Sequence, residues 1–506
     1  MSYRPHHMTT SREAPHFPSC FPLTREQSAT FLVLLAYLLS GGVFTALLIS
    51  TRLLPGRYTA ILVGLLALGA AGLFLLLRNM SFGKRYYAGV ALCGLCCLIF
   101  GTGIYYLTET MDTAHKVTTV EPEVVSVGIF VRADDTRDFN ALAGSYVYGV
   151  AERIDRANTQ DTVKAIQEEY GRIQVRTFPG LTQLLDGVLD KQVDAIILNS
   201  AYLPVVEDME GYAGVSERLR EVKLVHLERT PAPTATPRPR PTPRSEEGAP
   251  SAKADQVFTV LLSGIDTRGE LTDSSRSDVN ILAVVNATQR KVALISTPRD
   301  YYIPLPVLDG ELDKLTHAGL YGVGASMDAI AELYDVDVDY YFRVNFGGFV
   351  NIINALGGIT VQSDLPFSID KYTFQAGEND LDGEAALMFV RERHSFEDGD
   401  VQRNKNQLAV LRAVIQKAMS PELLLNYTNV LNAVEGSFET SIPYEVLSGL
   451  VRDQLDRGGS WEIESYTVNG AGDTQVPYSL GVPAYVMQPD EKTVEHAKEM
   501  IQAALS

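Results

Sequence analysis

An α/β protein carried on three membrane-spanning helices is the fold class this sequence predicts, and three observations predict it. Apolar stretches at 29–50, 58–77 and 89–107 dominate the first part of the chain. Short strand-like and helix-like patterns alternate from residue 123 onward. A proline-rich run then divides that later portion in two. The expected order is a tail (1–28), a three-helix anchor (29–107), a small α/β accessory domain (123–228), a linker (229–256) and an α-β-α sandwich with a central mixed sheet (257–506).

Each apolar stretch approaches the roughly 20 residues that a helix needs to cross a ~30 Å hydrocarbon core. Arg52, Pro55, Gly56 and Arg57 separate the first two, and Arg78, Lys84 and Arg85 separate the second from the third. A cleaved signal peptide has a single short apolar core, so three spans predict a permanent anchor in the lipid bilayer. The tail offers Arg4, Arg12 and Arg25, whereas the third stretch is followed by Glu109 and Asp112. Positive charge favours the cytoplasmic side, which places the tail inside and everything after 108 outside. Cys20, Cys93, Cys96 and Cys97 all precede that point, so the outer portion carries no disulfide framework.

Charge narrows the function classes. The net charge is −19, yet residues 1–107 hold eight basic against two acidic residues, which leaves −25 on the rest. So acidic a portion is not a nucleic-acid surface, and arginines clustered within it point to a local pocket.

In the accessory domain, 123–131 reads as a strand, 141–156 as a helix, 173–177 as a strand, 181–191 as a helix, and 193–198 and 222–227 as strands. No catalytic constellation falls there. The linker holds Thr230, Pro231, Pro233 and Pro241, and cannot pack a core. About 15 residues in polyproline II span roughly 45 Å, an expectation of two domains held apart and mobile.

The last domain opens with a strand at 257–264, then strands at 279–285 and 291–296. A helix at 326–334, a strand at 340–345, a helix at 348–356 and a strand at 359–362 follow. Helices at 384–393, 401–419 and 444–455, a strand at 462–468 and a helix at 490–505 complete it.

Charges of both signs gather at the ends of these runs. Asp266 follows the first strand, and Arg276 and Asp278 open the second. Arg299 and Asp300 follow the third. Arg391 and Arg393 end one helix. Asp400, Arg403 and Gln407 stand at i, i+3 and i+7 on the next, and so share a face. Guanidinium forks suit phosphate oxygens, and a pair of carboxylates suits Mg²⁺ bridging them. The same residues read equally as structural ion pairs, Asp300 and Arg393 above all. His317 and His394 lie nearby. The chain shows no serine-hydrolase elbow, HExxH or Walker loop.

The ordered strings GIDTR, RSD, STPRD, DKLTHA, NFGGFVNIINALGGI, FVRER and GDVQRNKNQ make the chain resemble the LytR-CpsA-Psr family across nearly all of 257–506. Three spans and an accessory domain resemble its capsule-type branch. The resemblance implies a Mg²⁺-dependent phosphotransferase outside the membrane. Its partners would be a glycopolymer, capsular or teichoic-acid-like, on a polyprenyl-pyrophosphate carrier and a peptidoglycan acceptor. It also implies roles: Asp266 and Asp278 for the metal, Arg276, Arg299, Arg391, Arg393, Arg403 and Gln407 for the pyrophosphate, with Asp278 and Arg299 catalytic. Asn406 stands where the family often has a further arginine. A non-catalytic precursor sensor and a pyrophosphatase share the same cradle and remain open alternatives.

Overall fold

The computed structural model describes residues 25–51, 55–77, 83–118, 123–207, 209, 211–229, 257–265, 275–396, 399–420, 430 and 433–506. They fall into two compact units, 1–108 and 109–506. The first holds helices α1 (Arg25–Ser50), α2 (Gly56–Leu77) and most of α3 (Lys84–Thr118). Stretches of 23, 22 and 26 residues within them are apolar and long enough to cross a bilayer. Tyr37, Leu73 and Cys93 pack between the helices, while Phe31, Leu32 and Leu68 face outward. An apolar exterior of this kind belongs in lipid. The chain is a membrane protein.

The second unit begins with a five-stranded sheet. Its strands are β1 (Glu123–Arg132), β2 (Val147–Ala151), β3 (Gln174–Phe178), β4 (Ala195–Asn199) and β5 (Leu219–Arg229), in the order β3-β2-β4-β1-β5. Strand alternation divides the side chains between two faces. Val125, Val127, Ile129 and Val131 meet Ile166 of helix α4 (Arg156–Tyr170), whereas Ile196 and Leu198 meet Leu184 and Leu185 of α5 (Leu181–Leu189). The helix expected at 141–156 is corrected here. That stretch holds one helical turn, then β2, and α4 begins only after Asp155. The apolar residues Val147, Tyr148, Val150 and Ala151 are a buried strand, and a short apolar run satisfies either period.

The second sheet has six strands. They are β6 (Val257–Ile265), β7 (Ser277–Asn286), β8 (Lys291–Thr297), β9 (Tyr340–Asn345), β10 (Phe438–Thr440) and β11 (Glu462–Thr467). Their order is β10-β9-β6-β7-β8-β11, with β6–β9 and β8–β11 parallel and the other pairs antiparallel. Leu261, Leu282 and Ile295 point to one face, under α6 (Val323–Tyr334) and the last helix, Glu491–Leu505. Val260, Ile281 and Leu294 point to the other, against Leu408 and Val446. Each fully buried leucine contributes roughly 1.5–3 kcal/mol. This is the expected α-β-α sandwich with a mixed sheet.

Beside it, α7 (Phe346–Ala355), α8 (Gly383–Arg391) and α9 (Gly399–Ala418) enclose a third cluster, in which Phe367, Phe374 and Phe389 interlock with centroids 4.7–5.2 Å apart. The expectation of two domains held apart is also corrected. Leu320 and Leu480 of the C-terminal lobe lie inside the accessory core, and Tyr202 donates to Tyr321 at 2.8 Å. The proline-rich residues themselves lie outside the described residues.

Candidate active site

The antiparallel ladder of β7 and β8 does the first positioning. Asn280 faces Thr297, so Asp278 on β7 and Arg299, two residues past the end of β8, meet at the edge of the ladder. Arg299 donates to Asp278 at 2.9 Å and stands 3.5 Å from Asp300. Thr316 donates to the other Asp278 oxygen at 3.2 Å. Lys314 reaches Asp300 at 3.0 Å. Burial works against charge on Arg299, yet Asp278 and Asp300 outweigh it and hold the guanidinium more firmly protonated than usual. Burial likewise opposes charge on Asp300, but Lys314 and then Arg299 bring its carboxyl below the ordinary range.

Helix α9 supplies the second part. Asp400, Arg403 and Gln407 face one cleft, with Arg403 3.2 Å from Asp400. Arg403 is only 7% exposed. Its Nε and that of Arg299 have no hydrogen-bond acceptor among the described residues. Burial pushes the Arg403 guanidinium down from its usual value; Asp400 opposes that shift and Arg299 adds to it. A desolvated cation with an unused donor beside another cation is a place for an anion.

Arg276, Asp278, Arg299, Arg391, Arg393, Arg403 and Gln407 all line a single cleft of about 1260 Å³. The guanidiniums differ in exposure: Arg403, at the floor, is buried, Arg299 beside it and Arg276 are half-buried, and Arg391 and Arg393 lie exposed at the rim. Arg391 stacks over Phe346 at 4.6 Å. The ion-pair reading holds for Arg299 and Arg403, and the same two side chains still face the cleft. Asp266 lies outside the described residues. Asn406 is turned from the cleft: it accepts from Gln402 at 3.1 Å and donates to the Phe389 carbonyl at 3.4 Å.

Among the described residues no group of three or more His, Cys, Asp or Glu converges as a protein-only metal cage. Mg²⁺ makes a different demand, taking one or two carboxylates and completing its shell with water and phosphate oxygens. The Asp278 carboxylate, held by Arg299 and one hydroxyl, fits that donor set.

Several residues of the site have no sequence signal of their own. Lys314 and Thr316 belong to the string DKLTHA, whose spacing carries no role for either. Thr182, Val205, Met209 and Tyr212, from the accessory lobe, line the cleft too. His317 also lines it, with its Nδ1 2.6 Å from the fully buried Asp313.

The model of the LytR_cpsA_psr family matches residues 232–502. A protein of Enterococcus faecalis named "Polyisoprenyl-teichoic acid--peptidoglycan teichoic acid transferase TagU" is 33% identical over 235 residues, covering 46% of this chain and 76% of that one. One of the same name from Bacillus subtilis is 29% identical over 249 residues, covering 49% and 78%. The crystal structure of B. subtilis TagV aligns over 49% of this chain and 97% of that one, at 25% identity and a TM-score of 0.43.

Proposed function

This chain belongs to the LytR-CpsA-Psr family of glycopolymer–peptidoglycan transferases, and on that premise we propose that it draws on a polyprenyl-pyrophosphate carrier outside the cell membrane. The polymer is capsular or teichoic-acid-like. The observation that carries this reading is the set of five arginines around one cleft, with the Nε donors of Arg299 and Arg403 unmet among the described residues.

Arg299 and Arg403 would grip the diphosphate from the floor. Arg276, Arg391, Arg393 and Gln407 would hold its outer oxygens. The acceptor oxygen bonds to the phosphorus nearer the glycan as its proton passes to solvent. The bond from that phosphorus to the bridging oxygen breaks, and polyprenyl phosphate leaves. Transfer of this kind is mostly positioning and charge neutralisation, so guanidiniums held rigidly by carboxylates serve it well. Asp278, with Asp266, would hold Mg²⁺, which supplies further neutralisation of the diphosphate. Phe346, Met388 and Val390 offer an apolar wall for the lipid.

The test is reconstitution of the full chain in nanodiscs with a lipid-pyrophosphate oligosaccharide and peptidoglycan fragments. Acceptor-dependent phosphodiester product, lost in Arg299→Ala and Asp278→Ala, is expected. Full activity in both variants would sink the site assignment. Carrier cleavage without acceptor would make the protein a pyrophosphatase, and binding without turnover would make it a sensor.

A further inference from the structure

One wall of the cleft comes from the accessory lobe, and the carrier reading gives that wall no task. Thr182 at the start of α5, with Val205, Met209 and Tyr212 beyond β4, lines the same space as Arg299 and Arg403. Tyr485, from the hairpin Gly470–Gln475/Ala484–Pro489, also lines it.

This wall is fixed in place. Leu480, in the loop of that hairpin, sits in the accessory core with Leu181, Leu184 and Leu185. The Tyr321 hydroxyl bridges Tyr202 at 2.8 Å and Ser479 at 3.4 Å. The Ser479 amide donates to Asp313 at 2.9 Å. Tyr212 donates to the two Asp186 oxygens at 3.1 Å, which holds its ring. Tyr485 is 50% exposed. Burial and then Asp300 and Asp400 raise its hydroxyl, so its ring stands near the charged floor.

A lipid-linked donor is linear: hydrocarbon, diphosphate, glycan. With the diphosphate over the arginines and the hydrocarbon against Phe346, Met388 and Val390, the end still to be placed is the sugar. The accessory wall offers one tyrosine ring, Tyr212, and the hairpin docked on it a second, Tyr485; such rings stack on the C–H faces of a pyranose. Thr182 and the Tyr212–Asp186 pair add polar groups for its hydroxyls. Space is sufficient, because about 1260 Å³ exceeds the roughly 300–1,000 Å³ of ordinary small-molecule sites.

We infer that the accessory lobe completes a glycan subsite of the cleft, in which Tyr212 and Tyr485 hold the first sugars of the lipid-linked polymer. The inference rests on the carrier reading above.

The experiment titrates the full-length chain in nanodiscs with sugar-free polyprenyl pyrophosphate, then with the same lipid bearing one, two and three sugars. Each of the first two sugars should tighten binding. Tyr212→Ala and Tyr485→Ala should each remove roughly fivefold of that gain, while Tyr212→Phe retains most of it. The gain is a ratio within each variant, so partial misfolding does not imitate the effect. Free peptidoglycan fragments form the second arm. Equal affinity for bare and sugar-bearing lipids overturns the inference, as does a defect confined to the peptidoglycan fragment. Failure of the bare lipid to bind wild type overturns the carrier reading itself, and the inference with it.

Discussion

Arg403 is charged, nearly buried and short of one acceptor, a state that an arriving oxyanion relieves. Arg403→Lys keeps the charge but loses the planar fork, so kcat/KM for polymer transfer should fall at least about tenfold, and Arg403→Ala should cost ~100-fold. Steady-state kinetics with a defined lipid-linked donor checks both. Asp300 and Asp313 govern the acid side of stability. Burial raises both carboxyls; Lys314 and Arg299 for Asp300, and His317 for Asp313, more than reverse it. Their folded values thus lie below the unfolded value near 3.9, so the stability they supply is complete above about pH 4 and is lost as pH falls through the folded value. Asp300→Asn should flatten the decline of the denaturation midpoint below about pH 4; an unchanged slope would remove Asp300 from this role. Asp278, Arg299 and Arg403 were legible in the sequence because charges at the ends of apolar runs collect where sheet edges and helices meet. Lys314, Thr316 and Asp313 were not, since a hydrogen bond between neighbouring loops leaves no periodic trace.

Two helices of the C-terminal lobe show how an element constrains its residues. On α9 the cleft face holds Asp400, Arg403 and Gln407, while Asn406 looks inward to Gln402 and the Phe389 carbonyl. Asn406→Ala should therefore cost about 1–2 kcal/mol of stability with little change in carrier affinity, readable by chemical denaturation beside a binding titration. At α7, Asn345 caps the helix by accepting from the Gly348 amide at 2.8 Å. A Cβ at Gly348 would overlap the Ser437 carbonyl oxygen, so Gly348→Ala should lower the melting temperature by several degrees even though alanine favours helix. The helices and strands expected in this lobe lie within a few residues of those observed, whereas β10 and the hairpin Gly470–Gln475/Ala484–Pro489 were not expected. The misreading at 141–156 arose where β2 is too short for its period to show. Gly149 helps hold that strand tight: a side chain there would crowd Phe178, Leu184 and Ile196.

Across the second unit, the accessory and C-terminal lobes share apolar contacts through Leu320, Tyr321 and Leu480. Calorimetry should record one cooperative transition for residues 109–506, and Leu480→Ala should destabilise both sheets together by about 2–5 kcal/mol. Two separated transitions would contradict the shared core. The sequence announced a boundary at the prolines but no contact, because composition reports what a linker lacks and says nothing of which surfaces meet beyond it. That seam has a consequence for modularity. An accessory sheet taken from a relative and grafted here would leave Leu480 facing water unless it brought a matching hollow, and Tyr321 would lose the hydroxyl it now shares with Tyr202. The two lobes are therefore not interchangeable cassettes: a change on one side of the seam selects for an answering change on the other.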